Sequence, residues 1–202
     1  MDKVHTQIEK KLAKAKKGSL FFLSDFRGMG TEGSIKMALS RLKEAGKLKR
    51  IAHGIYYLPQ IDPILGELYP SMETIAEAIA KKEHIRIKPT GAFALHKLGL
   101  TTQVPMKLVY FTDGPLKQIK LGKNVIKFKP TTPKKLSLKG KLSSLIIQAL
   151  EELGTEHLEE KTIKRVKELL KKEDPKILIK DLKLAPAYIS EFIFLLLKEG
   201  ND

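Results

Sequence analysis

The sequence predicts an α+β chain: an N-terminal winged helix-turn-helix, followed by a small α+β domain that ends in a helical segment. Three stretches carry the prediction. In residues 31–57, TEGSIKMALSRLKEAGKLKRIAHGIYY, the apolar Ile35, Ala38, Leu39 and Leu42 recur at i, i+3, i+4 and i+7, which makes one stripe on a helix. Short apolar runs in the middle third read as strands, and a helical period runs from Leu136 to Leu197.

The first domain is expected to span residues 1–60. Val4, Ile8 and Leu12 give a first helix with a lysine-rich outer side, stopped by Gly18. Leu20-Phe21-Phe22-Leu23 is a short strand, and Ser24-Asp25 offers an N-cap to a second helix around Phe26. The turn from Gly28 to Gly33 matches G-x-G-x-x-G. Residues 48–58 nevertheless contain no Asp or Glu to hold a ribose, and they turn back on themselves at Gly54, so a dinucleotide site is not expected. Thr31 then reads as N-cap of the third helix. Gly46 sits where a left-handed helix stop belongs, and residues 47–58 form a ribbon that turns at His53-Gly54. Helix, strand, helix, turn, helix, hairpin is winged-helix order.

The third helix carries Gly33, Lys36, Met37, Ser40, Arg41 and Glu44 opposite its apolar stripe, with Glu44 or Asp25 as possible ion-pair partners of Arg41. In a winged helix this face enters the major groove, and the ribbon holds backbone. The expected DNA-contacting residues are therefore Thr31, Ser34, Lys36, Met37, Ser40 and Arg41 on the helix, with Lys49, Arg50 and His53 on the ribbon beside Lys47.

Pro59, Asp62, Pro63 and Gly66 mark a linker, and a second domain is expected over residues 67–202. Its sheet-containing part, 67–135, opens with a helix behind Pro70-Ser71 (Met72, Ile75, Ala76, Ile79) and a strand over residues 85–88. A small-residue helix to Leu98, a buried strand over 108–112 that stops at Asp113-Gly114, and a basic hairpin turning at Gly122-Lys123-Asn124 complete it. Residues 136–202 read as three helices, the last carrying an apolar run from Phe192 to Leu197 that suits a core or an interface and is too short for a membrane span.

The 202 residues hold 38 Lys+Arg against 23 Asp+Glu, a net charge of +15 that favours polyanionic partners. All of that excess lies in residues 1–136; the last third is neutral. Without cysteine there is no disulfide scaffold and no thiolate metal site, and the first residues lack the apolar core of a secretion signal, so a cytoplasmic protein is expected. The five histidines are scattered with no i, i+4 pair, and neither a Walker loop, a Ser-His-Asp order nor paired catalytic carboxylates stand out. Neither an enzyme, a metal nor a cofactor is expected.

Three segments, GSLFFLSDF, ALSRLKEAGKLKRIAHGIYYLP and KPTGAFALHKLGLTTQVPMKLVYFTDG, in that order and spacing, resemble the AbiEi-type antitoxins of type IV toxin–antitoxin (abortive infection) systems. The likeness spans nearly the whole chain, strongest over residues 18–114 and weak after 135. It implies a winged-helix domain that binds operator repeats in double-stranded DNA and represses its own operon. It also implies a C-terminal domain that acts against a nucleotidyltransferase-like toxin. Residue by residue it supports Ser34, Lys36, Ser40, Arg41, Lys49, Arg50 and His53.

The leading expectation is a sequence-specific transcriptional repressor. A second is an antitoxin that works mainly through protein contact. A third is RNA binding through Lys117, Lys120, Lys123, Lys127 and Lys129 on or beside the basic hairpin, with Phe128 as the stacking ring.

Overall fold

A computed structural model describes residues 3–198, and the chain is of the α+β class. It divides into two compact units, residues 1–79 and 80–202.

The first unit runs α1 (Lys3–Ala13), β1 (Leu20–Phe22), a 3-10 turn (Leu23–Phe26), α2 (Glu32–Glu44), β2 (Lys49–Ala52) and β3 (Ile55–Tyr57). β3 lies between the other two strands, antiparallel to both. The apolar stripes close the core: Ile8 and Leu12 of α1 meet Ile35, Ala38, Leu39 and Leu42 of α2, with Phe21, Phe26, Leu48, Tyr56 and Leu58 completing it. Gly46 (φ +69°) and Gly54 (φ +70°) take the left-handed backbone that the helix stop and the hairpin turn require.

Three local expectations are corrected here. The second helix around Phe26 is a single 3-10 turn, and Ser24 does not cap it: the Asp25 carboxylate reaches back to accept the Phe22 N–H at 2.7 Å. Lys47 precedes the ribbon and pairs with Glu9 of α1. The linker of residues 59–66 is an ordered hairpin, β4 (Gln60–Asp62) and β5 (Gly66–Leu68), turned by Asp62 Oδ1 accepting the N–H groups of Ile64 and Leu65. Tyr57 ties this hairpin to β3: its hydroxyl accepts from Gln60 N–H at 2.9 Å and donates to the Leu68 carbonyl. The division between units thus falls inside α3 (Met72–Glu83), later than the expected start at Glu67.

The second unit holds a four-stranded mixed sheet in the order β6 (Ile87–Pro89), β7 (Lys107–Thr112), β9 (Asn124–Pro130), β8 (Lys117–Leu121). β7 and β9 are parallel, and the other pairs are antiparallel. Leu108, Tyr110, Thr112, Ile119, Ile126 and Phe128 alternate onto its buried face. There Phe93 of α4 (Gly91–Lys97) meets Tyr110 edge-on at 5.6 Å, and Tyr110 stacks on Phe128. α5 (Pro133–Leu136) is one turn.

Beyond α5 the expected three helices are four: α6 (Ser143–Leu153), α7 (Glu160–Leu170), α8 (Pro175–Leu182) and α9 (Ala187–Lys198). α8 begins with the proline at its first position and Asp174 as N-cap, accepting from Lys176 and Ile177 N–H. α6 runs through the core among α4, α7, α8 and α9, its Ile146, Ile147, Ala149 and Leu150 fully enclosed. Its entry is fixed by two acids. Asp181 of α8, 1% exposed, accepts from the N–H groups of Lys139 and Gly140 (2.8 Å each) and from the Ser143 hydroxyl (2.6 Å). Glu173 accepts from Leu142 and Ser143 N–H. Among the described residues no helix is long and apolar enough to cross a membrane.

Candidate nucleic-acid interface

Burying Ile35, Ala38, Leu39 and Leu42 turns the opposite side of α2 outward. At 100° per residue, Gly33, Met37 and Glu44 stand outermost, with Lys36, Ser40 and Lys43 on one flank and Ser34 and Arg41 on the other. The first flank faces the ribbon. Lys36, Ser40 and Lys43 line a groove of about 300 Å³ with Arg50, His53, Gly54 and Tyr56 of the hairpin and Leu23 of the preceding turn. A β-carbon placed on Gly33 would meet nothing within 4 Å, so the outer side of the helix is open to close approach.

Within the groove the cations are lightly tethered. Arg50 donates through Nε to the Ala52 carbonyl at 3.3 Å and lies 3.0 Å from His53 Nδ1. Lys36 pairs with Glu32, one turn earlier, at 2.5 Å; that bond holds the Glu32 carboxyl below its ordinary range. Ser40 donates to Glu44 at 3.2 Å. Pairs this exposed contribute little to stability and exchange readily for a phosphate.

Other expected contacts are placed differently. Thr31 and Ser34 form the helix start: Thr31 Oγ1 accepts the Ser34 N–H at 3.3 Å, and the Ser34 hydroxyl donates back to the Thr31 carbonyl at 2.9 Å. Met37 and Arg41 join each other on the far side of the rod, Arg41 donating to the Met37 sulfur at 3.3 Å rather than to Glu44 or Asp25.

Lys49 leaves the groove. Neighbouring residues of a strand face opposite ways, so with Arg50 in the groove, Lys49 points to Glu67 (2.5 Å) and lies 5.6 Å over the ring of Tyr69. The hydrogen bond that it donates to Glu67, with a second to the Tyr69 hydroxyl, raises its pKa. The ribbon therefore offers Arg50 and His53, but not Lys49, to a ligand beside α2. Lys43 was missed by sequence reasoning, although it follows Lys36 and Ser40 at i+7 and i+3 and the period that gave the apolar stripe also gives this one.

Burial and pairing also place three residues of the second unit. Phe128, fully enclosed, cannot stack a base, and Lys117 is paired with Glu83. Asp113, the turn residue, accepts from Arg86 through its backbone N–H (2.7 Å) and Nε (2.8 Å), which holds its carboxyl below the ordinary range. Among the described residues no three His, Asp or Glu side chains gather as a metal site would require.

The crystal structure of the RV2827C protein from Mycobacterium tuberculosis has a similar fold, with a TM-score of 0.59 and 15% identity over 98% of this chain and 78% of that one. No curated protein matches the chain. A family profile matches residues 7–178, and on that span the chain belongs to DUF6088, a family of unknown function.

Proposed function

We propose that residues 1–79 form a winged helix-turn-helix that binds operator repeats in double-stranded DNA, and that the protein is the autoregulating antitoxin of a type IV toxin–antitoxin system. The observation that carries this reading is the groove in which Lys36, Ser40 and Lys43 of α2 face Arg50 and His53 of the hairpin. The strand order β1-β3-β2 behind a helix with an open outer side supports it. In this reading α2 enters the major groove with Ser40 and Met37 at base edges, while Lys36, Lys43, Arg50 and His53 take phosphates along its flank. The chain acts without catalysis, metal or cofactor.

The test is an anisotropy titration of the full chain against DNA from upstream of its own gene and against scrambled DNA of equal length, over a salt series. The reading requires tighter binding to the upstream DNA and a log–log salt slope that falls by about one unit for each phosphate contact removed, as in Lys43→Ala. Equal affinity for both DNAs contradicts it.

A second reading, an antitoxin acting by protein contact, is favoured by α9, whose Tyr188, Phe194 and Leu195 are about half exposed (47%, 46% and 59%). The pair Tyr188→Ser and Leu195→Ser should then abolish rescue of cells expressing a nucleotidyltransferase-like toxin while operator binding persists. Unimpaired rescue removes this reading.

A further inference from the structure

The sheet of the second unit has one face whose charge no acid among the described residues answers. Strand registers place Lys88, Phe111 and Lys129 in one row, Val109, Lys127 and Gln118 in the next, and Lys107, Val125 and Lys120 in the third. Paired residues share a face and neighbours along a strand alternate, so these nine positions are one side of the sheet. The other side is the buried one. Five of the nine are lysines and none is acidic.

Two other lysines of this unit have partners: Lys117 holds Glu83 and Lys135 holds Glu151. Among the described residues, the five on the face have neither an ion pair nor a side-chain hydrogen bond. With strands about 4.8 Å apart and rows about 6.6 Å apart, the five ammonium groups share a patch roughly 14 Å square. So dense a single-sign field draws a polyanion.

The neutral positions narrow the choice of polyanion. Val109, Val125 and Phe111 are only half buried, and they are interleaved with the lysines rather than set apart from them. The outside of a duplex presents phosphates and would leave this apolar surface uncovered, as would an acidic peptide. A single strand presents both phosphates and the apolar faces of its bases. Lys135, the partner of Glu151, lies 4.9 Å over the Phe111 ring at that edge.

We propose that this face binds single-stranded nucleic acid, with phosphates on Lys107, Lys120, Lys127 and Lys129 and bases lying over Val109 and Val125 and against Phe111. The site is separate from the α2 groove and does not depend on the role proposed for it.

The test uses the full chain with fluorescent oligouridylate and oligothymidylate of about 15 nucleotides, and a hairpin duplex, over a salt series. Lys127→Gln with Lys129→Gln should weaken single-strand binding about tenfold and reduce its salt slope by about 1.4, with duplex binding unchanged. Arg50→Ala should leave single-strand binding unchanged, and Lys127→Arg with Lys129→Arg should retain it. Thermal melting checks that the variants fold. Lys88→Gln with Lys107→Gln, on the two neighbouring strands, gives the same reading if the first pair perturbs the sheet. The proposal is overturned if the glutamine pairs leave single-strand affinity and slope unchanged, or if they weaken duplex binding equally. Displacement of the oligonucleotide by polyglutamate of matched charge as readily as by unlabelled oligonucleotide also overturns it.

Discussion

α2 and α6 are helices of similar length, 13 and 11 residues, begun in opposite ways. α2 starts at the surface behind Thr31, whose hydroxyl oxygen takes one N–H, and keeps only its inner stripe in the core. α6 starts behind two carboxylates from a distant part of the chain that take four N–H groups and a hydroxyl, and it is enclosed almost to its end. The difference separates their roles. α6 organises the second unit and has little surface to offer, whereas α2 needs only one side to fold and leaves its other side for a partner.

The comparison can be broken most readily at Asp181. Asp181→Ala leaves Lys139 N–H, Gly140 N–H and the Ser143 hydroxyl without their acceptor in a largely buried site, and should cost about 3–5 kcal/mol in urea unfolding. Asp181→Asn, which keeps an acceptor, should cost less. A loss under about 1 kcal/mol for the alanine would mean that α6 is held by its apolar contacts alone.

Adjacent residues of α2 sharpen the contrast between its two sides. Leu39, fully buried, should cost about 3 kcal/mol as alanine. Ser40→Ala should change stability by no more than about 0.5 kcal/mol yet alter base preference at one position of a bound DNA. Equal stability losses at both positions would erase the distinction. Next in size, Thr31→Ala should cost about 1 kcal/mol through loss of the helix start, read in the same unfolding experiment.

Smallest is a pH effect in the second unit. Arg86 holds the Asp113 carboxyl below its ordinary pKa, so the contribution of this pair is present above the unfolded-state pKa and is lost as pH falls through the lower, folded one. An NMR titration should find the Arg86 amide, which Asp113 accepts, moving only below the ordinary carboxylate range. A midpoint at or above that range contradicts the pairing.

Much of the first unit was legible because its determinants are local. The stripe on α2, the stop at Gly46 and the turn at Gly54 each lie within a few residues of the feature they fix. Less visible was what depends on partners far along the chain. Nothing near Asp181 indicates that it caps a helix beginning some forty residues earlier, and nothing near Tyr57 indicates that its hydroxyl anchors the hairpin taken for a linker. α8 escaped because eight residues are too few for a clear period, although Pro175 suits the first residue of a helix. In the site, the helix period groups Lys43 with Lys36 and Ser40, and the strand period separates Lys49 from Arg50; which side of the ribbon faces α2 depends on packing between the two. On the sheet, the period of two was visible in Ile126, Lys127, Phe128 and Lys129, but which side was buried required the helix that carries Phe93.

The most direct measurement is a base-by-base affinity profile for wild-type protein, Arg50→Ala and Ser40→Ala on DNA from upstream of the gene. With Arg50 on phosphate and Ser40 on a base edge, Arg50→Ala should weaken every sequence alike and flatten the salt slope by about one unit. Ser40→Ala should shift affinity by about 1–3 kcal/mol at a single base pair. Indistinguishable, sequence-blind losses from the two variants, or no loss from either, would mean that α2 and its hairpin do not form the DNA-reading surface.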